Sequence, residues 1–264
     1  MTRLLPCLCA CLCLSFMLAG CDGRAELGDD FAAARQAQAE RNWPLAERLL
    51  QRFLRTEQDA ERRWQAWQAL IEVINAETGE ARETLEFLEV MRLEFAEDED
   101  KTRSILEQTG QLNERLGRLD RAAEAWSAYL DLGGLGTREM AEGYRHLASV
   151  QVRQRRFESA EETFGQCMAL PGSEPQVLYC MYDLADLQAG RQNWQAAADL
   201  CQQVLENRPD RELQGLASYV WGDALEQLGQ LPAAMKQFEA AREHYPNPLV
   251  IENRIVSLRK KMKK

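Results

Sequence analysis

The sequence predicts an all-α protein, an α-solenoid of about six helical hairpins closed by a C-terminal capping helix, on three observations. The first is a recurring motif in which a large apolar residue is followed three positions later by alanine, then by apolar or small residues four and seven beyond it. Its alanines are Ala122, Ala160, Ala197 and Ala234, separated by 38, 37 and 37 residues. That spacing places the alanine and its followers one turn apart on a single helical face, as an amphipathic helix packed on a neighbour requires. The second observation is a partner face upstream of each alanine, with a small residue in it: Leu106 and Gly110; Tyr144, Leu147 and Ala148; Met181, Leu184 and Ala185; Trp221 and Gly222. The small residue lets the two helices of a hairpin approach closely. The third is local punctuation. Pro44 and Pro232 fall just inside second-helix starts, where a missing N–H costs nothing, and breaks at Asp98–Asp100, Gly133–Gly136 and Pro171–Pro175 separate hairpins.

In chain order, residues 1–20 read as a secretory leader outside the fold. After the single cation Arg3, the run from Leu4 to Gly20 is uncharged, and at that length it is marginal as a membrane span. Cys7, Cys9, Cys11 and Cys13 lie inside this apolar run without polar partners, so no metal site is read there. Residues 21–28 form a short linker, and 29–246 the repeat domain. Its first hairpin is built on Trp43, Ala46, Leu50 and Phe53. The second, from Trp64 to Phe95, is degenerate, with Ala81, Leu85 and Leu88 carrying it. Four motif-bearing hairpins follow. Residues 247–264 form the cap, with Val250, Ile251, Ile255, Leu258 and Met262 at helical spacing and charge between them.

The motif resembles the tetratricopeptide repeat, whose signature runs from a bulky residue through Leu and Gly or Ala to Ala, Phe, Ala and a closing Pro. Pro209 and Pro246 close the last two repeats. The period of 37 exceeds the roughly 34 of that family, which implies longer helices or loops. The resemblance implies a protein-binding groove lined by the first helices of the hairpins. At the fifth and ninth positions of those helices stand Glu107 and Gln111, Arg145 and Ser149, Tyr182 and Asp186, then Tyr219 and Asp223, with Tyr179 and Glu226 beside them. The candidate groove is therefore Arg145, Tyr179, Tyr182, Asp186, Tyr219, Asp223 and Glu226. Aromatic faces next to carboxylates suit a Lys- or Arg-containing segment; the alternative is that these are ordinary solvated positions. The lysine and asparagine clamp by which some members hold a C-terminal carboxylate is missing.

Leu18-Ala19-Gly20-Cys21 resembles the lipobox of bacterial lipoproteins. The resemblance implies cleavage before Cys21, a thioether-linked diacylglycerol on its sulfur and usually a further amide-linked chain. Each buried methylene contributes about 0.8 kcal/mol, so two or three acyl chains hold a protein at a bilayer. It implies a periplasmic, membrane-anchored protein; Asp22 favours the inner membrane slightly over the inner leaflet of the outer membrane. Three cysteines remain in the body of the chain: Cys167, Cys180 and Cys201. Buried small side chains are the default reading, and a Cys167–Cys180 bridge between successive helices is the leading exception.

Loss of Arg3 with the leader takes the formal net charge from −10 to about −11. An acidic chain without a basic stripe argues against a nucleic-acid partner. The basic exception is the tail, where Arg259, Lys260, Lys261, Lys263 and Lys264 crowd together. They complement the negative pole of a helix dipole or meet anionic lipid headgroups. No nucleophile, phosphate-loop or metal motif is present. Glu142 and His146, four apart, lack a third ligand and read as a surface pair, and Gly133-Gly134-Leu135-Gly136 is too short for a nucleotide loop. The expectation is a non-enzymatic protein without cofactor or metal. It is either a scaffold binding a peptide or partner domain, or a permanent subunit of an envelope assembly machine.

Overall fold

In a computed structural model, residues 30–171 and 175–263 are described. The expectations placed on residues 1–28, including Cys21, lie outside them. The described residues form 13 helices and no strand. In chain order they are α1 (Asp30–Ala39), α2 (Trp43–Thr56), α3 (Ala60–Glu77), α4 (Ala81–Glu94), α5 (Glu99–Arg115), α6 (Leu119–Leu130), α7 (Thr137–Arg153), α8 (Phe157–Met168), α9 (Pro175–Gly190), α10 (Trp194–Glu206), α11 (Arg211–Gln227), α12 (Leu231–Ala241) and α13 (Pro248–Lys261). They divide into two compact units, one ending at Gly79 and one beginning at Glu80.

In the first unit α1 packs on α2 and α2 on α3, around Ala46, Leu50 and Phe53. In the second, α5/α6, α7/α8, α9/α10 and α11/α12 form successive hairpins, while α7 touches α9 and α9 touches α11. The second unit is thus an all-α helical repeat fold in which first helices of neighbouring hairpins stack side by side.

Chain chemistry explains where the helices begin. Asp59, Asp98 and Asp210 are N-caps whose carboxylates accept from Arg62 N–H (2.8 Å), Lys101 N–H (3.0 Å) and Leu213 N–H (2.9 Å), satisfying donors that the first turn leaves open. The break expected over Asp98–Asp100 ends at Asp98. Glu99 and Asp100 already lie in α5, where acids favour the positive pole of the helix.

The turn inside five hairpins is the same. Arg41, Gly117, Arg155, Gln192 and Gly229 all have φ between 57° and 76°. The following N–H then bonds back to the carbonyl five residues earlier, as in Arg118 to Asn113, Arg156 to Gln151 and Gln230 to Leu225. This left-handed closure ties up helix carbonyls that would otherwise lack partners. Glycine takes it without strain in two cases, and arginine or glutamine tolerates it in three.

The four motif alanines are fully buried, and the residue four beyond each faces the small residue of the partner helix. Sizes are exchanged across that contact. A Cβ placed on Gly110 would sit 2.6 Å from the Trp126 ring, and one on Gly222 would sit 2.9 Å from the Phe238 ring. The partner is alanine in the other two hairpins, Ala185 beside Cys201 and Ala148 beside Phe164. Cys167 and Cys180, both buried, are joined in a disulfide that ties α8 to α9, and Cys201 is free and buried. Burial and the charge of Asp186 push the Cys201 thiol up to about 12.

Candidate protein-binding groove

An open groove of about 380 Å³ lies along α5, α7 and α9, lined by Glu114, Glu142, Arg145, His146, Asp183 and Asp186 among others. Carboxylates outnumber cations in its wall. Most of those carboxylates are answered from within the chain. Arg145 Nε donates to Asp183 Oδ2 at 2.6 Å, and Glu142 pairs with Arg138 at 3.0 Å on its own helix. Glu114 accepts from Trp126 Nε1 at 2.7 Å and lies 2.9 Å from His146 Nδ1. The His146 ring stacks on Trp126 at 4.3 Å. The Glu142–His146 surface pair read from sequence is therefore corrected: each residue has another partner, because Glu114 comes within reach of His146 only when α5 and α7 pack.

The predicted groove residues fall into two groups. Arg145, Tyr179, Tyr182 and Asp186 belong to the first. The Arg145 guanidinium lies 4.9 Å from the Tyr179 ring centroid, and the Tyr179 hydroxyl donates to Asp210 Oδ2 at 3.1 Å. Burial and that bond push the Tyr179 phenol up to about 12. Tyr182 packs against the Ala185, Cys201 and Val220 cluster, and its phenol is raised by burial and by the nearby acids Asp186 and Asp183. Asp186 has no cationic partner among the described residues. Its carboxyl is raised, first by desolvation and then by the like charge of Asp183. Asp183 is itself raised by burial, against the opposing pull of Arg145.

Tyr219, Asp223 and Glu226 form the second group, and the chain already occupies them. Asp223 is ion-paired with Arg254 of α13. Glu226, with its side chain only 3% exposed, meets Arg254 at 3.0 Å and also Lys261. The Arg254 guanidinium stands 5.3 Å from the Phe238 ring centroid, and Tyr219 packs on Tyr245 at 4.7 Å. The two Tyr/Asp pairs, 37 residues apart, thus differ: Tyr182 and Asp186 have no cation of their own chain, and Tyr219 and Asp223 have Arg254. Sequence reading passed over Asp183 and Glu114. Both stand at helical spacing from groove positions in the first helices, which was the available signal.

Residues 108–169 and 182–248, just under half of the chain, match the model of the tetratricopeptide repeat. Among solved structures, the chain is similar to BtubC (BKLC) from P. vanneervenii, with 18% identity and a TM-score of 0.55 over 90% of this chain and 92% of that one. It is also similar to a tetratricopeptide repeat protein from Parabacteroides merdae ATCC 43184, with 13% identity and a TM-score of 0.51 over 88% and 98% of the two chains. At these identities the likeness concerns the fold. No curated protein matches the sequence significantly.

Proposed function

We propose that the chain is a lipid-anchored scaffold of the bacterial cell envelope whose α7–α9 groove holds a Lys- or Arg-bearing segment of a partner protein. One observation carries the reading of the groove. Asp186 is a first-helix carboxylate with no cation of its own chain, next to a second carboxylate and one turn from the Tyr182 ring. One repeat later the equivalent Asp223 holds an arginine. A cation brought to Asp186 relieves the repulsion from Asp183 and gains an aromatic neighbour. The anchor rests on Leu18-Ala19-Gly20-Cys21, and Asp22 slightly favours the periplasmic face of the inner membrane over the inner leaflet of the outer membrane. The Cys167–Cys180 disulfide supports an exported location, since such bonds persist in oxidising compartments. No helix of the described residues is long and apolar enough to cross a membrane.

The Asp186 side chain reaches solvent at the groove wall, so its replacement tests the groove, with circular dichroism checking that the variant is folded. On an array pairing each Lys- or Arg-bearing peptide with its glutamine copy, the wild type should prefer the cationic member. Asp186→Lys should cost about tenfold in affinity or more, equivalent to about 1.4 kcal/mol. Equal binding of both members by the wild type refutes the cation preference. The anchor has its own test: Cys21→Ser should move the protein out of the membrane fraction or leave the leader uncleaved. A cleaved variant still recovered with membranes refutes lipid attachment.

A further inference from the structure

The inner face of α13 is committed to the fold. Ile251, Ile255 and Leu258 are buried against Leu225, Phe238 and Ala241, and Arg254 and Lys261 are held by Asp223 and Glu226. The opposite face has a different composition. Helical spacing puts Leu249, Asn253, Val256 and Lys260 in one stripe, with Lys263 just past the helix end; within the stripe Leu249 is 74% and Val256 48% exposed. Lys260 and Lys263 are exposed and meet no carboxylate among the described residues. Arg259, at the edge of the stripe, makes only a loose 3.6 Å contact with Glu239, both side chains being more than half exposed.

A helix dipole accounts for cations in a last turn, and a solenoid cap is expected to turn a polar face outward. Neither accounts for two outward aliphatic side chains on the stripe that leads to the free lysines. Aliphatic residues in line with long cationic side chains are the composition of a helix that lies on an anionic bilayer: the apolar groups enter the headgroup boundary and the ammonium groups stay among the phosphates. We propose that this outer stripe of α13 is a docking surface for anionic lipid headgroups. Charge complementarity selects this occupant. The cations stand together on a chain of net charge −10, whose remaining surface an anionic membrane repels. An exposed stripe on the outside of one helix suits a fluid surface better than a shaped protein partner. The inference is independent of the groove reading.

The test uses the full chain carrying Cys21→Ser, so that no acyl chain holds it to a vesicle, as the wild-type reference, and compares it with the same chain bearing Lys260→Glu/Lys263→Glu or Val256→Asp. Each is sedimented with vesicles of phosphatidylcholine alone or of equal parts phosphatidylcholine and phosphatidylglycerol, at low and high salt. The wild type should bind the anionic vesicles more tightly in a salt-sensitive way. Each lysine near the surface is worth about fivefold, so the double reversal should lose more than about tenfold, and Val256→Asp should lose part of the binding at unchanged helix content. Equal sedimentation of wild type and double reversal overturns the proposal. Retention on immobilised polyglutamate as strong as on the anionic vesicles also overturns it, in favour of an acidic protein.

Discussion

Ala197→Asp should unfold the second unit at a temperature roughly 10 °C or more below that of the wild type, whereas Ala240→Asp should melt close to it. Ala197 is fully buried between helices beside Ala224 and Ala198. The new carboxylate would stand among apolar neighbours, and its burial unpaired costs several kcal/mol. In a chain of this size each kcal/mol lowers the melting temperature by about 2–4 °C. Ala240 is exposed on α12, where substitutions usually stay within about 0.5 kcal/mol. Thermal melts followed by circular dichroism decide it; matched melting of the two variants would place Ala197 outside the packed face.

Removing the disulfide should produce the next largest loss. The bond closes a sequence separation of 13 residues, and cross-linking a loop of that size restricts the unfolded chain by about 3 kcal/mol. Cys167→Ala/Cys180→Ala keeps two buried, small, apolar positions, so the loss is of the link and little else. Urea denaturation should show a lower midpoint for the double variant, and reductant should shift the wild type towards it while leaving the variant unmoved. A wild-type midpoint insensitive to reductant would mean that the two thiols are not joined in the protein.

Much of the architecture was legible because it is written at fixed spacing. Ala122, Ala160, Ala197 and Ala234 marked the second helices, and Gly110 and Gly222 betrayed the close contact with Trp126 and Phe238. The turns were less legible. At Arg41, Arg155 and Gln192 the left-handed position is filled by a residue that carries no turn signal, and only the backbone reveals it. The division after Gly79 was not visible either, since the second hairpin was already too degenerate to show a break.

For the groove, residue spacing identified which side chains stand on the first helices and could not say which are already satisfied. Asp186 and Asp223 look alike in sequence. What separates them is Arg254, a cation 31 residues beyond Asp223 on a helix that sequence reading treated only as a cap. The pairing of His146 with Glu114 was hidden for the same reason, spanning 32 residues and two helices. The disulfide remained open because spacing places two cysteines on successive helices without saying that they face each other.

Glu226 gives the assembly of the fold a direction in time. Its carboxylate is nearly sealed from water, and a charge in that position is tolerated only once its counter-ions have arrived. Those counter-ions, Arg254 and Lys261, stand 28 and 35 residues later, so in a chain made from its N-terminus α11 emerges before either of them. Until α13 docks, the Glu226 end of α11 lacks these counter-ions. The docking of α13 is therefore a closing event in folding: one helix brings the aliphatic cover and the neutralising charges together, and the sixth hairpin completes its burial at that step.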